Sequence, residues 1–344
     1  MVEPLQARQE DLLALIVRTH IASGVPVSSS EVARKYGGRL SSATVRNEMA
    51  ALEEAGYLHQ PHTSAGRLPT AQGYEFYARG VATRARLRPA DQKRIQRDLA
   101  AEPGNADTLL ARAPHVLSEL CHGVGLVLAP PLGASAVEQI RLVRLDEHRV
   151  LVVVVTLPGL VRDRIVATPQ PFRLDELERM TAYLNEHFRG WTLTAIRAEL
   201  KRRVAAERSE FLRQALALCR ESFDSFVDRS ALHIEGVPNL IEAADASKPE
   251  EWRELLQALE EKERLAQLLG DCLGSPDERI YIQIGLEKLS PAMRGFALVG
   301  ACYGGGERPV GSLGLLGRTR MDYGRAITAV SYVAKLFNRL LTEN

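Results

Sequence analysis

One stretch, residues 41–77 (SSATVRNEMAALEEAGYLHQPHTSAGRLPTAQGYEFY), constrains the fold more than any other, because it reads as a helix, a β-hairpin and the start of a second helix. Ser41 or Ser42 can N-cap a helix that runs to about Ala55, where Gly56 supplies the stop. Val45, Met49 and Leu52 fall on one stripe at four- and three-residue spacing, which leaves Ser42, Thr44, Arg46 and Asn47 on or near the opposite face. Those are short hydroxyls, a guanidinium and an amide, groups that suit phosphates and base edges. Tyr57, Leu58 and His59 then read as a short strand. Pro61, His62, Thr63, Ser64, Ala65, Gly66 and Arg67 supply the turn formers and the cation of a hairpin tip that can lie along a phosphate backbone.

The preceding residues fit this reading. Leu12, Leu13, Ile16, Val17 and Ile21 give a first helix an apolar face, closed by Gly24 and Pro26. Ser28, Ser29 or Ser30 caps a short second helix over 31–36, and Gly37 with Gly38 makes the tight turn that a helix-turn-helix needs before its third helix. A small helical bundle with a solvated polar face is the plainer alternative. Three short helices followed by a Pro/His/Gly/Arg hairpin favour nucleic-acid binding over it. Arg46 could carry base recognition, or could pair with Glu48 or Glu53 on a solvated surface.

The same residues carry a family resemblance. Ser41-Ser42-Ala43-Thr44-Val45-Arg46-Asn47-Glu48-Met49, Leu52-Glu53, Gly56-Tyr57-Leu58, Pro61 through Thr70 and Gly73-Tyr74 resemble the signature of the bacterial heat-inducible transcription repressor family HrcA. Ile284-Gly285-Leu286-Glu287 and Gly311 through Tyr323 resemble its C-terminal blocks, so the likeness spans nearly the whole chain. One departure is visible: Ser28 follows Pro26-Val27 where many members carry glycine, which touches a helix cap and not a contact residue.

The chain has 344 residues, long for one domain, with 45% hydrophobic and 25% charged residues, which excludes wholesale disorder. A net charge of +1 says little, but Arg79, Arg84, Arg86, Arg88, Lys93, Arg94 and Arg97 crowd a segment holding a single nearby acid, Asp91. That run is either a solvated connector helix or a strip that touches phosphates. Cys121, Cys219, Cys272 and Cys302 are far apart with no ligand spacing, as expected of buried free thiols in a reducing compartment. With no spanning apolar run and no export signal after Met1, the protein is expected to be cytoplasmic.

Beyond the first stretch, Thr70 caps a helix to about Arg86, and a further helix near 91–101 sits between linkers at Pro89 and at Glu102-Pro103-Gly104-Asn105. A helix over 107–122 precedes strands at 125–129, 137–145, 150–156 and 160–167. Residues 151–155, apolar on both faces, should occupy the centre of a sheet covered on both sides. Residues 174–188 and the Gly- and Pro-free run 194–227 are helical, and the run carries two out-of-phase stripes that include Leu212 and Leu216. A helix over 249–273, strands at 280–284, 295–303 and 309–316 and a last helix over 323–341 complete an α+β domain.

The predicted fold class is therefore α+β and multidomain. It comprises a winged helix-turn-helix unit with linker at 1–103, a domain at 104–171 plus 249–344 that by family resemblance is GAF-like, and a helix-rich inserted dimerisation domain at 172–248. Enzyme chemistry has weaker support. The Gly304-Gly305-Gly306 run joins strands where a phosphate loop should open a helix. His59 and His62 lack a third metal ligand at useful spacing, and nothing brings Asp163 and Glu287 together. No metal and no cofactor is expected. The DNA contacts are assigned to Ser42, Thr44, Arg46 and Asn47 on the third helix and to His62, Thr63, Ser64 and Arg67 on the wing. The family resemblance implies that a homodimer binds the CIRCE inverted repeat upstream of chaperone operons, and that the GroEL chaperonin maintains its activity. A small-molecule-responsive regulator using the GAF-like domain as sensor is the alternative.

Overall fold

The computed structural model describes residues 5–63, 65–99, 106–129, 133, 135–157, 160–168, 170–206, 213, 232–242, 249–273, 280–304, 309 and 311–342. Helices α1 (Ala7–Ser23), α2 (Ser29–Lys35) and α3 (Ser42–Glu54) precede strands β1 (Leu58–His59) and β2 (Leu68–Pro69), which pair antiparallel. Ser28 and Ser41 are the N-caps of α2 and α3, their hydroxyls accepting from Glu31 N and Thr44 N. The predicted stripe is the packed one: Val45, Met49 and Leu52 are fully buried against Leu12, Leu13, Ile16, Val17 and Val32.

Helix α4 (Ala71–Arg84) follows, capped by Thr70, and then α5 (Pro89–Leu99). Pro89 begins this helix, where its fixed φ suits the first turn, and does not sit in a linker before it. Nor does α5 hang free. Ile95 and Leu99 are buried, Gln92 and Gln96 both donate to the Tyr332 hydroxyl at 3.0 and 2.7 Å, and Arg325 pairs with Asp91 at 3.0 Å. Tyr74 and Tyr77 of α4 pack their rings on Tyr323, with centroids 6.2 and 6.3 Å away. The first part of the chain is thus seated on the last helix.

Helix α6 (Ala106–Cys121) leads into β3 (Val124–Leu128). Strands β4 (Val137–Arg144), β5 (Arg149–Thr156) and β6 (Leu160–Ala167) form a separate antiparallel meander, followed by α7 (Leu174–Phe188) and α8 (Leu193–Ala206). Strand β7 (Leu232–Glu235), α9 (Val237–Glu242), α10 (Pro249–Glu260), α11 (Lys262–Leu273), β8 (Tyr281–Ile284), β9 (Phe296–Tyr303), β10 (Gly311–Arg318) and α12 (Tyr323–Thr342) complete the described elements. The expected single helix over 249–273 is two, parted at Glu261.

A five-stranded antiparallel sheet, order β7-β3-β10-β9-β8, is the centre of this second part. Its strands alternate between two buried faces. Val124, Leu126, Leu298 and Leu316 join Leu265, Leu268 and Leu269 of α11, whereas Val127, Val299, Leu313 and Leu315 join α6 and α12 through Leu117, Ile327, Val330 and Phe337. Two buried hydroxyls on it are satisfied: Tyr303 donates to Leu128 O and Ser312 to Leu269 O, each at 2.9 Å.

Two expectations change here. Residues 137–167 do not extend the main sheet, because β4, β5 and β6 pair only with one another, and β4 is lined by α7: Asn185 Oδ1 accepts from Ile140 N at 2.7 Å. Strand β5 is central to that meander, yet among the described residues only one of its faces is covered. Val150, Val152, Val154 and Thr156 are buried, while Leu151, Val153 and Val155 turn to a side where Val161 and Ile165 are exposed. In addition, Leu232–Glu235, expected inside the insertion, pairs with β3 at the edge of the main sheet.

Candidate nucleic-acid interface

Helix α3 presents what its sequence promised on its outer side. Arg46 and Asn47 are exposed, and Ser42 and Thr44 are half-buried. The serine hydroxyls do local work: Ser41 Oγ lies 2.9 Å from Thr44 Oγ1, and Ser42 Oγ lies 3.1 Å from Ser29 Oγ, so the first turn of α3 is tied to the first turn of α2. Gly37 and Gly38, both in the left-handed region at φ +75° and +70°, make the turn between these helices.

The two glutamates that could have neutralised Arg46 are taken. Glu48 is buried against Arg8, with Gln9 Nε2 donating to its other oxygen at 3.3 Å. Glu53 accepts from Arg67 Nε at 2.8 Å and from Gln60 N at 2.9 Å. Arg46 keeps its guanidinium at the surface, so the solvated-pair alternative does not hold with either partner.

The hairpin is short and braced. Gln60 Nε2 donates to the carbonyls of Thr63 and Ala65 at 3.0 and 2.9 Å, which ties the tip to its root, and Ala65 N donates to His62 O. His62 and Thr63 are exposed at the tip, and Ser64 lies outside the described residues. Arg67 is not part of the tip. Its backbone exchanges two 2.9 Å hydrogen bonds with Val27, adding a third strand position to the hairpin root, and its side chain, 14% exposed, turns in to Glu53. Gly66 is needed for that approach, since a Cβ there would meet Val27 O at 2.4 Å. The sequence showed the cation but not its carboxylate, fourteen residues earlier on the back of α3. Arg34 and Arg39, exposed at the end of α2 and just before the α3 cap, are further cations of this unit that the motif reading passed over.

The features that could suggest an enzyme stay apart. Asp163 lies on β6 of the meander and Glu287 follows β8 of the main sheet. Among the described residues no group of three or more His, Cys, Asp or Glu side chains is arranged to hold a metal ion, and no helix is long and apolar enough to cross a membrane. Most of the Gly304–Gly306 turn lies outside the described residues.

Comparison with known proteins places this geometry. Residues 107–327 match the family model described as the HrcA protein C-terminal domain. The heat-inducible transcription repressor HrcA of Geobacter sulfurreducens is 35% identical over 340 residues, covering 98% of both chains, and that of Syntrophobacter fumaroxidans is 32% identical over 342 residues with the same coverage. A solved crystal structure described as a hypothetical protein superposes over 99% of both chains with a TM-score of 0.67 at 26% identity.

Proposed function

The chain belongs to the HrcA family of heat-inducible transcription repressors, and on that premise we propose that it represses by laying α3 in the major groove of operator DNA with the 58–69 hairpin as a wing. The observation that carries this reading is the surface of α3: its inner face is fully packed, and Arg46 and Asn47 stand exposed with the nearby carboxylates already engaged. Arg46 and Asn47 would read guanine and adenine edges, the two bidentate pairings those side chains favour. Ser42 and Thr44 would meet phosphate or base edges near the helix start, and His62, Thr63 and Ser64 would carry the wing to the backbone. Arg67 enters as the brace that aims the wing, with its own cation already spent on Glu53.

The operator would be the CIRCE inverted repeat upstream of chaperone genes, read by a two-fold dimer. We divide the chain into a winged helix-turn-helix unit with its docked connector up to about residue 99, a GAF-like domain around the five-stranded sheet, and an insertion that opens near residue 135 and closes by residue 231. The sequence-based opening at 172 moves earlier because the meander pairs with nothing in the main sheet, and the close moves to before β7. The dimerising surface would include the open face of the meander. On it Val143, Leu151 and Ile165 stand in one row, Arg141, Val153 and Asp163 in the next, and Val155 and Val161 in a third. A two-fold axis through Val153 would set Arg141 of each copy against Asp163 of the other. Leu212 and Leu216, expected in the same interface, lie outside the described residues. GroEL would be the partner that maintains the active state in the cell interior.

Footprinting of the purified protein on its own chaperone promoters tests the reading. Protection of one inverted repeat is expected, and Arg46→Ala should weaken it selectively while leaving general binding nearly unchanged. Absence of any protected repeat would overturn the operator assignment.

A further inference from the structure

Beyond the helix and wing, a second cationic surface runs from the end of α4 into the first turn of α5. Arg84, Arg86, Arg88 and Lys93 are all exposed within ten residues. The acids that could neutralise them are directed elsewhere: Asp91 is buried and bound to Arg325 of α12, and Asp98 is engaged by Arg94 and Arg97. Of the other cations in the run, Arg94 also reaches Glu119 and Arg79 pairs with Glu75, so four positive charges are left on a short segment without a carboxylate partner among the described residues. The segment is also held in place. Tyr77 packs on Tyr323, Gln92 and Gln96 grip the Tyr332 hydroxyl, and Leu99 and Ile95 are buried. A solvated tether would need neither this anchoring nor the removal of Asp91.

We propose that Arg84, Arg86, Arg88 and Lys93 form a second DNA contact that grips the phosphate backbone outside the inverted repeat. The inference rests on the repressor reading above and extends its footprint. Helix α4 starts directly after the hairpin and has 14 residues, so its end lies roughly 21 Å along its axis from the wing root at 1.5 Å per residue. That is within the ~34 Å of one duplex turn, so the strip is close enough to the wing to reach flanking DNA where the axis of α4 follows the duplex. Arginine and lysine without a base-reading partner serve here as phosphate neutralisers, so the contact adds affinity and salt dependence and leaves sequence choice to α3.

The test uses the full chain with all four residues changed together, Arg84→Gln, Arg86→Gln, Arg88→Gln and Lys93→Gln, and two CIRCE duplexes, one trimmed to the repeat and one with a full turn of flank on each side. All four positions are exposed, and an unchanged melting curve verifies folding. The wild type should bind the flanked duplex at least about tenfold more tightly than the trimmed one, and the variant should lose that advantage. On the flanked duplex the slope of log K against log salt should flatten by about 1 for each phosphate contact removed. A second variant with Arg84→Lys, Arg86→Lys and Arg88→Lys should keep the flank advantage, since charge and not fork geometry is used. If the variant keeps the flank advantage and slope, or weakens equally on both duplexes, the inference is wrong while the repressor reading stands. A wild type that binds neither duplex specifically would remove the repressor reading itself.

Discussion

Glu53 and Arg67 close the base of the hairpin as a pair: Arg67 Nε donates to Glu53 Oε2 at 2.8 Å while the other carboxylate oxygen takes the backbone N–H of Gln60 at 2.9 Å. One side chain of α3 thereby holds both legs of the wing, and the wing's angle is fixed to the helix that would read the bases. Removing the cation leaves a partly buried carboxylate with one partner lost. Such hydrogen bonds to charged groups contribute about 1.5–3 kcal/mol. Arg67→Ala should therefore lower stability by about that amount and weaken operator and random duplex alike, with little change in salt slope because the guanidinium is not on phosphate. Glu53→Gln should reproduce the defect. A loss of about one unit of salt slope in Arg67→Ala with unchanged stability would return Arg67 to the backbone.

Arg46 should behave in the opposite way. Its exposure, and the engagement of Glu48 and Glu53 by Arg8 and Arg67, mean that truncation breaks no ion pair among the described residues. Arg46→Ala is expected to melt like the wild type and to cost about 1–3 kcal/mol on the specific repeat, with a much smaller loss on random duplex. Competition titrations with both duplexes measure the difference directly.

Helix caps, the Val45/Met49/Leu52 stripe and the Gly37-Gly38 turn were legible in sequence because each is decided within four residues. What was not legible depends on distant partners. Nothing local says that Arg67 will turn back to Glu53, that Asp91 will be taken by Arg325, or that Tyr74 and Tyr77 will seat α4 on Tyr323. The meander misled for a related reason. The run Leu151-Val152-Val153-Val154-Val155 looks buried on both faces, and an apolar run cannot tell burial within its own chain from an open apolar face.

That open face supplies a prediction of assembly. Val161 and Ile165 are 41% and 52% exposed beside half-buried Leu151 and Val155, and exposed apolar rows of this kind mark interaction surfaces. Changing Val161 and Ile165 to Glu should give monomers by light scattering, with a soluble fold and weak half-site binding. Dimers that persist in this double variant would place the interface elsewhere on the insertion.

His20 offers a pH signature at the junction between the two parts of the chain. It is buried at the end of α1, its Nδ1–H donates to Val25 O at 2.9 Å, and Tyr74 and Arg320 lie beside it. Burial holds its pKa below the ordinary 6.5; the Arg320 and His59 charges push the same way, and the Val25 carbonyl opposes them. With the folded value below the unfolded one, the unfolded chain binds the extra proton first. The contribution of neutral His20 is complete above about pH 6.5 and is lost as pH falls through the folded value. Melting temperature should fall between pH 7.5 and 5.5 more steeply in the wild type than in His20→Gln. Parallel curves for the two proteins would show that His20 is not linked to folding in this range.

Heat would act on the same fold, and the half-buried Cys121 thiol reports it. Burial pushes the Cys121 thiol up to about 12, and Cys302 is also raised by burial. The thiolate fraction at pH 7.5 is then very small, so alkylation in the native state should be slow. If the repressor is inactivated by reversible opening and restored by GroEL, mild heating should abolish operator binding and expose Cys121 to iodoacetamide over the same temperature range, as peptide mapping will show. On cooling, operator binding and Cys121 protection should return together, and much faster with chaperonin and ATP than without. An added unfolded client should slow that return in proportion to its amount, because it occupies the same chaperonin. Rapid, complete recovery that ignores both chaperonin and client would remove the chaperonin from the switch and favour a signal delivered by a small ligand.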